Sequence, residues 1–176
     1  VVAAKHPRQA ALATELGATE AVGPGGLSRA VRRVTGAMAV GDGRIDRLAG
    51  GSDAVVDCVG SAQSLAQALA VVRPGGQVIM VGMPATVVID LTPLWQREVR
   101  LQGSYAYGRE PSSPGRRRTF ELAFDLVTDA RLGRMVSATY PLARYREALA
   151  HAAQAGRRGA VKVAFDLRGE RDRERL

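Results

Sequence analysis

A single cysteine, Cys58, stands among 176 residues. That excludes an internal disulfide and fits a reducing, cytoplasmic setting, the location expected for this chain. Histidine is almost as scarce, with His6 and His151 only. Catalytic zinc needs three nitrogen, sulfur or oxygen ligands, and no spacing here supplies them, so no metal site is expected within these residues. No apolar stretch reaches the roughly 18–20 residues of a membrane span before Gly, Pro or a charge interrupts it, so no membrane partner is expected. The apolar start meets Lys5, His6 and Arg8 with no cleavage-type segment, so no secretory signal is read. Lysine is limited to Lys5 and Lys162, and the net charge of +8 is therefore carried by arginine. Those arginines are scattered, apart from Arg116–Arg117–Arg118 and a mixed-charge tail. Aromatics make up 5% of the chain, and no helix interleaves them with a basic face. The charge is read as a solvated surface with no nucleic-acid partner.

With 46% hydrophobic residues the chain can bury a core. Short apolar runs alternate with helical patterns. Residues 1–4 (VVAA) read as a buried strand. Pro7 opens a helix over 8–16 with Ala11, Leu12 and Leu16 inward, closed by Gly17. "TEAV" (19–22) is a short strand, and Leu27, Val31 and Val34 keep helical spacing over 27–35. Residues 36–52 are glycine-rich and read as a loop with one short helix near Ile45–Leu48. "DAVVDCVG" (53–60) predicts a strand buried on both faces. A helix over 62–72 carries Leu65 and Leu69 four apart, "RPGG" (73–76) is a turn, and "QVIMVG" (77–82) is another buried strand. "TVVID" is a candidate small strand. Thr92 is the expected N-cap of a short helix over 92–98 with Pro93 in its first turn. A strand over 99–107, a loop over 108–118 and a helix over 119–132 follow. The pattern ends with a strand at 135–141, a helix at 143–156, a strand at 160–167 and a frayed tail over 168–176.

Strand–helix–strand alternation predicts an α/β fold, a doubly wound parallel sheet with helices on both faces. Ligands of such sheets bind beyond the carboxyl ends of the strands. Those ends are Lys5–His6, Cys58–Gly60, Val81–Met83 and Gly103–Tyr105, and three of the four contain glycine. Glycine permits close backbone approach to a ligand. Asp57 is expected to cap the end of its strand or to bond a neighbouring backbone N–H, without acting as a catalytic acid.

The blocks "KHPRQAALATELGATEAV", "DAVVDCVGSAQSLAQALAVVRPGGQVIMVGMP", "VRLQGSYAYG" and "YPLARYREALAHAAQAGRRGAVKVAFD" resemble the nucleotide-binding portion of the medium-chain dehydrogenases/reductases, the zinc-dependent alcohol dehydrogenase superfamily. The resemblance covers residues 1 to about 167 and implies a Rossmann-like domain, incomplete here, with a C-terminal return segment from about residue 135. It also implies an NAD(P)-dependent oxidoreductase acting on a small alcohol or carbonyl substrate. The cofactor is expected to be NADP rather than NAD: Lys5, His6 and Arg8 follow the first strand where NAD users carry an acid for the ribose hydroxyls. By the same resemblance Val59 and Gly60 lie against the adenosine side. Val81, Gly82 and Met83 lie under the nicotinamide, and Ser104 and Ala106 bond its carboxamide through the backbone. Lys162 reaches the pyrophosphate, with Arg157 or Arg158 as substitutes. Trp95 would lie near a partner subunit, and "TVVID" with "VRLQGSY" would offer an edge for a homo-oligomer.

The resemblance implies two absences. No G-x-G-x-x-G separates a strand from a helix; "GPGGLS" (23–28) lacks the spacing. The family's first strand, its N-terminal catalytic domain and its zinc ligands are expected outside this sequence, so catalysis by this chain alone is not expected. Without a strand between them, residues 1–4 and 53–60 would each expose unpaired backbone, and the isolated chain is expected to be unstable unless those strands pair directly. Two other readings remain open: a zinc-free quinone or enoyl reductase of the same superfamily, and a non-catalytic nucleotide-binding fragment.

Overall fold

The computed structural model describes residues 1–41, 47–105, 107–112 and 115–168. The chain forms two compact units: Val1–Ala3 with Ala18–Ala106, and Ala4–Gly17 with Tyr107–Leu176. No helix among the described residues is long and apolar enough to cross a membrane.

In chain order the elements are β1 (Val2–Ala3), α1 (Pro7–Glu15), β2 (Ala21–Val22), α2 (Leu27–Thr35), β3 (Met38–Val40), β4 (Arg47–Ala49), β5 (Ser52–Asp57), α3 (Ala62–Val71), β6 (Val72–Met80), α4 (Thr92–Gln96), β7 (Arg100–Gly103), β8 (Arg109–Pro111), β9 (Arg116–Arg118), α5 (Thr119–Asp129), β10 (Val136–Tyr140), α6 (Tyr145–Ala153) and β11 (Lys162–Phe165).

The first unit is built on a three-stranded parallel sheet, β5-β6-β7, with a parallel pair β1-β2 and an antiparallel pair β3-β4. Helix α3 supplies the core. Leu65 and Leu69, four residues apart, are both almost fully buried, as the helical spacing predicts. Leu69 packs with Ala68, Val72, Val78 and Val99, against Val55, Ile89, Leu94 and Leu101. Val71, at the end of α3, packs with Val31 of α2 and Leu48 of β4. Burying a Leu of this kind contributes about 1.5–3 kcal/mol.

Arg97 closes this core. Its guanidinium donates to the carbonyls of Leu48 (2.6 Å), Gly50 (3.2 Å), Leu69 (3.1 Å), Ala70 (3.5 Å) and Val72 (2.5 Å). Leu69 and Ala70 belong to the last turn of α3, whose carbonyls have no partner within the helix. A cation there also complements the negative end of the helix dipole. Burial pulls the Arg97 pKa below its ordinary value, yet a guanidinium stays charged at neutral pH.

Several expectations change. Val2 is 39% exposed and Val56 is 56% exposed, so neither β1 nor β5 is buried on both faces. Each has a hydrogen-bonded neighbour on one edge only, and β1 and β5 do not pair with each other among the described residues. Arg73–Gly76 is not a turn before a strand but a bulge inside β6: Ser52 pairs with Val72, and the next rung joins Ala54 to Gln77. Residues 36–52 hold the β3-β4 hairpin, where Leu48 is a strand residue rather than helical; Ile45 lies outside the described residues. "TVVID" forms no strand, and its Ile89 instead plugs the core. Thr92 begins α4 but is not its N-cap, which is Leu91; the Asp90 carboxylate accepts from Thr92 N–H at 2.9 Å. On α1 only Leu12 is buried, and Ala11 and Leu16 are exposed, because nine residues present a single narrow inward stripe. Val34 of α2 is 54% exposed for the same reason.

The second unit holds α1, an antiparallel hairpin β8-β9 where a loop is expected, α5, and the parallel pair β10-β11 joined through α6. His151 meets a neighbour: its Nδ1 is hydrogen-bonded to the Tyr140 hydroxyl at 2.9 Å, tying α6 to β10. Residues 169–176 of the expected tail lie outside the described residues. Arg168 pairs with Asp166, whose carboxyl is held down to about 2 by that guanidinium.

Candidate functional site

The register of the parallel sheet decides where a ligand can sit. Asp57 pairs with Met80, and Met80 pairs with Gly103. Three strands therefore end at one level. The segments that leave them are Cys58–Gly60, Val81–Met83 and Ser104–Tyr105. Six of the expected site residues come together at this end: Val59, Gly60, Val81, Gly82, Met83 and Ser104. Ala106 lies outside the described residues.

Asp57 anchors this end. It is 5% exposed, and its carboxylate accepts from Val59 N–H (2.9 Å), Gly60 N–H (3.3 Å) and the Ser64 hydroxyl (3.1 Å). Ser64 belongs to a capping box: Ser61 Oγ accepts from Ser64 N–H at 3.0 Å, and Ser64 Oγ accepts from Ser61 N–H at 3.0 Å. A buried carboxylate beside a helix N-terminus is favoured by both the donors and the dipole. Asp57 is thus wholly committed to holding the turn, as its place in the sequence suggests. Asp57→Ala is expected to cost about 2–3 kcal/mol in urea unfolding, because three donors lose their partner, while Ser64→Ala costs about 1 kcal/mol.

The two glycines of this site also serve the packing of the chain against itself. Gly60 adopts φ +74°, and a Cβ there would lie 2.8 Å from Pro84 Cδ. A Cβ on Gly82 would fall 2.4 Å from Gly60 N and 2.5 Å from the Val59 carbonyl carbon. The loops after β5 and β6 are packed backbone to backbone, so the close approach is between two parts of this chain. The signal was visible as glycine at both strand ends; which surface pressed on them was not.

Main-chain donors at this end are also spent internally. Val81 and Gly82 N–H both donate to Asp57 O at 2.9 Å, and Ser104 N–H donates to Met80 O at 2.9 Å. What faces outward is apolar: Val59 is 71% exposed, Val81 45%, Met83 82% and Tyr105 87%. These apolar side chains stand exposed beyond the ends of three adjacent strands. Cys58 is exposed at this end, and the Asp57 carboxylate is committed to the turn.

The remaining expected residues belong to the second unit. Lys5 and Arg8 are exposed, and Arg8 pairs with Glu15 at 3.4 Å. His6 precedes α1 and its ring presses on Gly156, where a Cβ would lie 2.2 Å from Nε2. Lys162 opens β11 opposite Val136 and is exposed. Among the described residues no group of three His, Cys, Asp or Glu is placed to hold a metal ion.

Comparison with known proteins agrees with this architecture. The family described as zinc-binding dehydrogenase matches residues 1–129. A sorbitol dehydrogenase of Arabidopsis thaliana is 29% identical over 118 residues, covering 65% of this chain and 30% of that protein. An L-idonate 5-dehydrogenase of Vitis vinifera is 28% identical over 120 residues, covering 66% and 30%. The chain thus spans about a third of the length of the curated relatives it matches. Among solved structures, one named as a zinc-binding dehydrogenase of Sinorhizobium meliloti 1021, bound to NADP, superposes with a TM-score of 0.65 at 27% identity, covering 93% of this chain and 44% of that one. An Escherichia coli oxidoreductase of unknown specificity shares the fold, with a TM-score of 0.69 at 21% identity, 94% of this chain and 43% of that one. A register that ends three parallel strands together and a sequence match over residues 1–129 lead to one conclusion: the chain belongs to the zinc-binding dehydrogenase family, medium-chain dehydrogenases/reductases, and corresponds to its nucleotide-binding portion.

Proposed function

We propose that this chain binds NADP(H) at the carboxyl ends of β5, β6 and β7 and presents its nicotinamide to an alcohol or carbonyl substrate of the whole protein. The observation that carries this reading is the shared level of Asp57, Met80 and Gly103, with exposed apolar side chains beyond it. When bound, the dinucleotide supplies hydride transfer. Val59 and Met83 give apolar faces for its rings. Ser104 has its N–H engaged by Met80 O, while its carbonyl and hydroxyl, without a hydrogen-bond partner among the described residues, are assigned to the carboxamide. The family resemblance assigns Lys5, His6 and Arg8 to a ribose 2′-phosphate and Lys162 to the pyrophosphate. The NADP-bound relative supports the choice of cofactor. Relatives named for sorbitol and L-idonate support a polyol or sugar-acid hydroxyl as the reacting group. Zinc, where the whole protein uses it, takes its ligands from other residues.

Titration of NADPH and NADH into the protein, followed by nicotinamide fluorescence, tests the reading. NADPH is expected to bind at least about tenfold more tightly, the equivalent of ~1.4 kcal/mol. Lys5→Glu should remove that preference while sparing NADH. Equal affinity for both, unchanged in the variant, would discard NADP as the cofactor.

A further inference from the structure

The β8-β9 hairpin sorts its charges by face. Arg109 pairs with Arg118, Glu110 with Arg117, and Pro111 with Arg116. Thr119 N–H donates to Gly108 O at 3.0 Å and Ser112 N–H donates to Gly115 O at 2.8 Å. Those are hydrogen-bonded rungs, and alternation makes Glu110–Arg117 the bonded rung between them. Arg109–Arg118 and Pro111–Arg116 therefore occupy the non-bonded rungs, where opposed side chains stand closest, about 4.5–5.5 Å apart at Cβ.

The two faces behave differently. On one, Arg117 is neutralised by Asp125 (2.8 Å) and Glu121 (3.9 Å), and Glu110 accepts from the Thr119 hydroxyl (2.9 Å). On the other stand Arg109, Arg116 and Arg118, all exposed. Among the described residues none of these three has a carboxylate within salt-bridge distance, and Arg116 donates to the Arg109 carbonyl at 2.6 Å, which holds it beside that residue. Like charges directly opposed are destabilising, and a two-stranded hairpin is marginal by itself. The arrangement is relieved by an anion lying across the rung.

Aromatic side chains lie close to these arginines along the chain. Tyr107 lies two residues before Arg109, and its ring packs against Phe120, tilted at 52° with ring centroids 4.4 Å apart. Tyr107 is 68% exposed and Phe120 47% exposed. Two residues of chain, at most about 7 Å when extended, separate Tyr107 from Arg109. A nucleobase, its ribose and its 5′-phosphate bridge a distance of that kind. The N-terminus of α5, which begins at Thr119, adds positive potential at the phosphate end.

We infer that Tyr107, Phe120, Arg109, Arg116 and Arg118 form a surface site for a phosphorylated nucleotide, base on the aromatic pair and phosphate across the arginines. The test is calorimetric titration of the protein with AMP, ribose 5-phosphate, adenosine and inorganic phosphate, in which the variants below separate this site from the proposed cofactor site. AMP should bind more tightly than ribose 5-phosphate or phosphate, and adenosine weakest. Arg109→Gln with Arg118→Gln should weaken AMP and ribose 5-phosphate about tenfold or more. Tyr107→Leu should weaken AMP about fivefold or more and leave ribose 5-phosphate unchanged, as loss of stacking alone would. Circular dichroism of the variants establishes that they remain folded. AMP binding that is indifferent to both sets of changes overturns the inference, as does a short single-stranded oligonucleotide that binds far more tightly than AMP through the same residues. Failure of NADPH to bind, with AMP binding intact and sensitive to these variants, would remove the proposed cofactor role and leave this site standing.

Discussion

Gly82→Ala is expected to destabilise the protein by about 3 kcal/mol or more and, on the proposed function, to abolish NADPH binding. The added methyl carbon would lie 2.4 Å from Gly60 N, 2.5 Å from the Val59 carbonyl carbon and 2.8 Å from Val59 N. All three are backbone atoms, so no rotamer change relieves the overlap. Their loop is in turn tied to Asp57 by two N–H donors. Overpacking of this sort usually costs 1–3 kcal/mol, and more where the neighbour is main chain. Gly103→Ala provides the control. It also lies at a strand end of the site, but nothing stands within 4 Å of its Cβ position, and its cost should stay under about 1 kcal/mol. Urea unfolding of both variants, paired with NADPH titration, separates the cases. Equal stability of the two would show that the loops after β5 and β6 are not packed as described.

Arg97→Met is the second large effect. Methionine fills much of the same space but returns no hydrogen bonds to the carbonyls of Leu48, Val72, Leu69, Ala70 and Gly50. Buried acceptors left without donors cost about 1–3 kcal/mol each where water cannot reach them. Arg97 is half-buried, so part of that loss is recovered by water. A fall of about 2–4 kcal/mol in unfolding free energy is expected, read as a lower urea midpoint at unchanged slope. Arg97→Lys restores one charged donor but not the planar fork, and should fall between the two. A midpoint for Arg97→Met equal to the parent's would mean that the carbonyls are already solvated.

Features governed by neighbours in the chain were the ones legible in sequence. Leu65 and Leu69 announce the buried face of α3, and Asp57 at a strand end reads as a cap for the turn after it. Features governed by distant residues were not. Val56 looks like a core residue in an apolar run, but its exposure depends on what lies over the strand, not on the strand. The hairpin of β8 and β9 has no alternation of apolar and polar residues, since both strands are mostly charged, so its pattern resembles a loop. Arg97 gave no sign that five carbonyls from three segments would converge on it. The site followed the same division. Its level in the sheet could be read from the strand ends at Gly60, Gly82 and Gly103. That two of these glycines face each other, while the third faces open space, is a matter of packing between loops more than twenty residues apart.

The back-to-back glycine turns separate shape from selectivity. The height and tilt of the platform are set by main chain against main chain, so the outward groups at positions 59, 81 and 83 carry no structural duty there. On the proposed function, exchanging them would re-tune which ring is accepted without moving the floor beneath it. A lineage could thereby drift between coenzymes or substrates through changes at three rim positions, while the paired turns stay invariant.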